Sequence, residues 1–162
     1  MASAHDVARF ILQRRGGMST WKLQKLVYYS QAWHLAWDGV ELFPEPIQAW
    51  ANGPVTPTLY RQHRGRFSVD TWELGDARKL TKDEKETIDL VLQGYGSLTG
   101  RQLSLLTHNE APWQDARAGL RPTDPSKREI SSESMQAFYG ALDLDENAQP
   151  ISEIDWTAIG DA

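Results

Sequence analysis

Lys22-Leu23-Gln24-Lys25-Leu26-Val27-Tyr28-Tyr29-Ser30-Gln31-Ala32-Trp33-His34-Leu35-Ala36-Trp37 decides the fold of this chain. At helical spacing, Leu26, Ser30, Trp33 and Trp37 fall on one stripe, with Leu23 and Val27 beside it. Tyr29, Ala32 and Ala36 fall on another. A helix that is apolar on more than one side is surrounded by other elements. The segment therefore reads as the central helix of the fold, with Trp33 and Trp37 in structural roles. Ser19 or Thr20 opens it, and Gly39 closes it as a left-handed cap.

Working outward, Ser3 with Asp6 forms the start of a first helix carrying Val7, Phe10 and Ile11, ended by Gly16-Gly17. After the central helix the character changes. Leu42-Phe43 and Ile47-Gln48-Ala49-Trp50 read as two short strands around the turn Pro44-Glu45-Pro46. Asn52-Gly53-Pro54 is a turn signal, and Trp50, Gly53 and Pro54 are read as shaping it. Thr56-Pro57 then starts a helix through Leu59 and Tyr60. Residues 65–80 read as a loop with a short extended piece. Thr81/Glu84 and Thr99/Gln102 are capping boxes for two further helices. Pro112-Trp113 begins a short helix, with Trp113 structural. Ser131 or Ser132 caps a last one bearing Met135, Phe138, Tyr139 and Leu142. The expected fold is mainly α: one compact helical domain, residues 1–142, with one small β-hairpin insertion. The alternative label is α+β.

The chain has 162 residues, enough for one core, with 40% hydrophobic and 24% charged residues, as in ordinary globular proteins. It holds no cysteine, which excludes a disulfide framework and a thiolate metal site. No apolar run is long enough to span a membrane, and the start lacks the pattern of a signal peptide. The expectation is a cytoplasmic protein. The net charge of −5 is unevenly placed. Residues 143–162 contain Asp143, Asp145, Glu146, Glu153, Asp155 and Asp161 and no base. The body is then close to neutral. An acidic segment that also holds Ile151, Ile154, Trp156 and Ile159 needs something to bury them against. Its own body near Arg61, Arg64 and Arg66 is one target. A partner or an oligomer contact is the favoured one, with Ile151, Ile154, Asp155, Trp156 and Ile159 as contacts.

Catalytic patterns are missing. No two of His5, His34, His63 and His108 share the spacing of a zinc helix, so no metal and no cofactor are expected. A site joining His34, His108 and Glu110 is the less favoured reading against hydrogen-bonded histidines. Gly94, Gly96 and Gly100 follow a helix rather than a strand, so they are no phosphate loop. Asp83-Glu84-Lys85 sits in a first helical turn, where carboxylates favour the helix dipole. No enzyme is expected. Tyr60-Arg61-Gln62-His63-Arg64-Gly65-Arg66-Phe67 is a basic cluster flanked by aromatics that could touch nucleic acid. The near-neutral body argues against that, as does the aromatic character of the second helix in a would-be helix-turn-helix.

Several of these stretches together resemble a known family. Lys22 to Tyr29, Ala32-Trp33-His34-Leu35, Leu42-Phe43, Ile47-Gln48-Ala49-Trp50, Gly53-Pro54-Val55 and Leu59-Tyr60 resemble the Panacea domain. Leu103-Ser104-Leu105-Leu106-Thr107-His108-Asn109-Glu110-Ala111-Pro112-Trp113 is similar to that family's second signature. The resemblance covers about residues 3–142 and leaves out the acidic tail. It implies an antitoxin that neutralises a cognate protein toxin by direct binding. It also admits an adaptor or phage regulatory protein that hands a partner to a protease such as ClpXP, as SocA-like members do. A nucleic-acid-binding regulator is a second alternative. Lys25, Tyr28, Arg61 and Arg64 are candidate partner contacts beside the tail. No membrane partner is implied, and the oligomeric state is left open.

Overall fold

The computed structural model describes residues 1–159. Seven α-helices are seen among them: α1 (Ala4–Arg15), α2 (Thr20–Asp38), α3 (Pro57–His63), α4 (Lys82–Tyr95), α5 (Gly100–His108), α6 (Ala111–Ala116) and α7 (Ser132–Leu144). Four short strands form two antiparallel pairs, β1 (Met18–Ser19) with β4 (Ser68–Val69) and β2 (Gln48–Trp50) with β3 (Gly53–Val55). The fold is mainly helical, as expected. It holds two small β-ladders rather than one.

Local signals set most boundaries. Ser3, Thr81 and Thr99 each cap their helix in a reciprocal box with Asp6, Glu84 and Gln102. Ser19 caps α2, and Gly39 ends it at φ 73°. The capping Asp6 is buried and reaches further: its Oδ1 accepts from the Asp76 N–H at 2.7 Å. The C-terminal carbonyls of α4 accept from cations on other elements, Leu92 from Arg15 at 2.6 Å and Gly96 from Lys22 at 2.7 Å.

Helix α2 is the pillar, buried along Leu23–Leu35 and packed by α1, α4, α5 and α7. Trp33 is 8% exposed and donates its indole N–H to Tyr95 Oη at 3.0 Å. Tyr29 stacks on Tyr95 with ring centroids 4.1 Å apart. Tyr28, Tyr29 and Tyr139 meet edge to face. Into this cluster projects Glu110, whose Oε1 accepts from Tyr29 Oη at 2.7 Å and Tyr139 Oη at 2.8 Å. The single Tyr139 hydroxyl proton goes to Glu110, so Tyr28 donates to Tyr139 across their 3.0 Å contact. Burial raises the Glu110 carboxyl to about 7, partly opposed by the two tyrosine hydrogen bonds.

The hairpin differs from its expected register. Leu42-Phe43 is no strand. The Gln31 amide captures that segment instead, its Oε1 accepting from the Leu42 N–H at 2.6 Å and its Nε2 donating to the Phe43 carbonyl at 2.7 Å. Pro44 and Pro46 have no N–H to extend a ladder there. The strands pair across Ala51-Asn52, with Gln48 opposite Val55 and Trp50 opposite Gly53. The β1–β4 pair joins Met18 to Val69 and Ser19 to Ser68, tying the loop after α3 to the start of α2.

The acidic segment is not set apart. Helix α7 runs through residue 142 to Leu144, so the expected boundary falls inside its last turn. A 3-10 turn follows at Ile151–Glu153. Ile151, Ile154 and Trp156 pack, half-buried, against the core of their own chain. Of the two targets that the sequence offers them, these side chains rest on their own body, as large apolar groups close to a core do. Asp155 is exposed and accepts from the Thr157 N–H at 3.0 Å, which serves the local turn, while Ile159 is half-buried. Asp161, one of the six tail acids, lies outside the described residues.

Candidate functional site: a basic recess beside the central helix

The first turns of α2 face the hairpin and α3. The sequence puts two polar residues there, Gln24 and Lys25, inside an otherwise apolar surround. The Gln24 amide clamps the backbone of Thr56, donating to its carbonyl at 3.2 Å and accepting from its N–H at 2.8 Å. The same Nε2 donates to His63 Nε2 at 2.9 Å. That contact requires an unprotonated Nε2 and places the His63 proton on Nδ1. Burial, reinforced by the charge of Lys25, pulls the His63 pKa down and favours this neutral form.

Lys25 is 1% exposed. Its side chain runs against Gly53, where an added Cβ would stand 2.6 Å from Lys25 Cε and 3.1 Å from Thr107 Oγ1. Gly53 has φ 118°, so both the turn and the lysine's passage require glycine. Lys25 has no hydrogen bond and no ion pair among the described residues. Burial lowers its ammonium pKa to about 7. His108, stacked on Trp113 at 4.1 Å, is pulled to about 4 by burial first and then by the charges of Lys25 and Arg117. Its ring nitrogens are unbonded: the Ala51 backbone approaches without reaching hydrogen-bond geometry.

Arg117 shows how the same region satisfies a buried cation when it can. Its guanidinium donates to the carbonyls of Ala49 at 2.9 Å, Arg121 at 3.0 Å and Asp124 at 2.7 Å, and it lies over the Trp113 ring.

Lys25, Gln24 and His63 form the buried end of a recess of about 570 Å³. Half-buried Trp50 and Tyr60, whose rings meet at 4.9 Å, contribute aromatic wall. Exposed Arg64, Arg66 and Lys127 stand at the outer part. No carboxylate lines it.

The expected site residues scatter. Arg64 lines the recess. Arg61 does not; it is exposed and donates to Thr58 Oγ1 at 3.3 Å. Lys25 lines the recess from inside and is closed to a flat docking surface, and Tyr28, 1% exposed, lies in the tyrosine cluster. Both are corrected as surface contacts, because the all-round apolar character of α2 leaves no open side at those turns. Trp37 is 38% exposed and donates to Asp143 Oδ1 at 3.2 Å while packing on Trp33. Trp113 donates to the Trp50 carbonyl at 2.8 Å, and Pro54 sits in β3 opposite Ala49. His34 meets Thr87 at 2.9 Å, far from the stack that holds His108. Gln24, Tyr60, His63 and Lys127 were not singled out individually for this site. The available signal was Lys25 itself, a lysine in the middle of a helix that is apolar on more than one side, where lysine is seldom buried.

The chain is thus a mainly helical domain built on an aromatic pillar, with a cationic recess walled by aromatic rings. Among the described residues no group of three or more His, Asp or Glu could hold a metal ion. No helix among them is long and apolar enough to cross a membrane. The sequence model of the family described as "Antitoxin SocA-like, Panacea domain" matches residues 23–114, which span α2 through α6 and hold most of the recess. The chain belongs to that family. No curated protein and no solved structure matches it.

Proposed function

We propose that this protein is an antitoxin that neutralises a cognate protein toxin by direct binding. The observation that carries the reading is its membership of the antitoxin-like family over residues 23–114. The surface supports a specific place for the contact. Trp21 is 49% exposed and Phe67 86%. The Phe67 carbonyl accepts from the Thr20 N–H at 3.0 Å, so the β1–β4 crossing brings the two backbone segments together. Trp21, Arg64 and Arg66 line the same recess. Tryptophan, aromatic and arginine side chains are what protein interfaces concentrate at their energetic centres.

The test is to express the product of a neighbouring reading frame alone and together with this chain. Growth arrest alone, rescue by co-expression and co-purification of the two proteins are expected. Phe67→Asp should weaken rescue while leaving the melting temperature unchanged, since that ring is 86% exposed. Rescue without physical association would reject direct binding.

A further inference from the structure

The recess around Lys25 asks for a ligand that the protein does not itself supply. Among the described residues its ammonium has no hydrogen-bond or ion-pair partner, in contrast to Arg117, whose two terminal nitrogens donate to backbone carbonyls. Leaving a buried cation unpaired is costly, and the cost is relieved by pairing the charge, by replacing it or by giving up the proton. Lys25 is neither paired nor replaced, and an anion in the recess would hold its proton in place. The groups around it increase the demand: Arg64, Arg66 and Lys127 line the same recess, and no carboxylate does. A recess with this lining favours an anion from outside as the counter-charge.

The shape says more than the charge. A bare inorganic anion would fill little of a recess of about 570 Å³. That size lies in the range of small-molecule sites, which combine apolar walls with a few converging polar groups. The walls here are Trp21, Trp50 and Tyr60. Aromatic rings beside cations suit a ligand with a flat ring at one end and a negative group at the other. The Gln24 clamp on Thr56 and His63 fixes the inner wall, so the site is formed before a ligand enters.

We infer that this recess binds a nucleoside phosphate, with the phosphate neutralising Lys25 and the outer cations and the base packed against the aromatic wall. The inference does not rest on the antitoxin reading, because it concerns the isolated chain and needs no toxin. An acidic side chain inserted by a partner protein is the competing occupant. The aromatic wall disfavours it, since a carboxylate side chain leaves those rings unused.

The experiment is isothermal titration of the full chain with AMP and GMP, with adenosine and orthophosphate as the two halves, and with tryptophan fluorescence as a second readout. A nucleotide Kd of about 100 μM or tighter is expected, with each half weaker by about tenfold or more. Lys25→Met should weaken nucleotide binding by about tenfold or more, since it removes the buried partner of the phosphate. The exposed double variant Arg64→Ala/Lys127→Ala should weaken it severalfold and make it less salt-dependent, and its positions place no demand on folding. Absence of heat and of fluorescence change at about 1 mM nucleotide would overturn the inference. So would orthophosphate binding as tightly as AMP, or a folded Lys25→Met chain that binds AMP unchanged. An acidic peptide that binds in a Lys25-dependent way while AMP does not would assign the recess to a protein partner and overturn it equally.

Discussion

Two ionisable side chains, Lys25 on the central helix and Glu110 packed against it, have opposite histories. Glu110 begins as an ordinary carboxyl and is raised to about 7; Lys25 begins as an ordinary amine and is lowered to about 7. Burial is the largest cause in both. One oxygen of Glu110 is answered by two tyrosine hydroxyls, backed by a third, all within the fold. Lys25 is answered by nothing and borders open volume. A buried polar group that is satisfied internally specifies packing, whereas one left unsatisfied beside a cavity specifies a guest.

The largest effect belongs to the closed side. Trp33→Ala removes a buried indole that both fills the core and donates to Tyr95, and should destabilise by about 3–5 kcal/mol in denaturant titration. An unchanged unfolding midpoint would take Trp33 out of the core and open the tyrosine cluster to reinterpretation.

The pH dependence of stability separates the two sides directly. Glu110 has its folded pKa above the unfolded value of 4.5, so the stability it contributes is complete below 4.5 and is lost as pH rises towards 7. Lys25 has its folded pKa below the unfolded 10.5, so its contribution is complete above 10.5 and is lost as pH falls towards 7. Each slope is at most about 1.4 kcal/mol per pH unit. Around Lys25, His63 and His108 are both held below their usual range, and the cationic side chains of Arg64, Arg66 and Lys127 line the same recess. Around Glu110, Tyr28, Tyr29, Tyr95 and Tyr139 are all pushed up and stay protonated. Melting curves between pH 5 and pH 10 of the wild type against Glu110→Gln should differ in slope on the acid side, and against Lys25→Met on the alkaline side. Lys25→Met should also be neutral or stabilising at pH 7, because it removes an unpaired charge. Parallel curves for the wild type and Lys25→Met would mean that the amine reaches water.

The closed side was largely legible in the sequence, and the open side was not. The pillar, its caps at Ser19 and Gly39, and the boxes at Thr81 and Thr99 are local, and each is written within a few residues. The recess is assembled from residues 20–25, 50–66 and 125–127, and nothing in periodicity brings those segments together. Two-residue strands such as Met18–Ser19 and Ser68–Val69 are too short to show alternation, so the crossing that exposes Trp21 and Phe67 was invisible. The Leu42-Phe43 error has the same source: a side-chain amide thirty-one residues into the chain, Gln31, took the place of a ladder.

Trp156 tests whether the acidic segment belongs to the closed side. It packs half-buried on its own core, so Trp156→Ala should destabilise by about 1–2 kcal/mol, below the value for a fully buried tryptophan. Loss of toxin binding with no loss of stability would instead return this residue to the partner surface.

The smallest effect is the most specific to the open side. Gly53→Ala faces two costs, a backbone at φ 118° that alanine resists and a Cβ that would press on Lys25 Cε at 2.6 Å. Only the second involves the lysine. Shortening residue 25, as in Lys25→Ala, relieves that contact and leaves the backbone strain in place. In a double-mutant cycle, Gly53→Ala should therefore cost less in the Lys25→Ala background than in the wild type, by about 0.5–1 kcal/mol. Additive effects would mean that the lysine swings aside at no cost. The chain over Gly53 would then be mobile rather than held, and the preformed inner wall on which nucleotide binding depends would be lost.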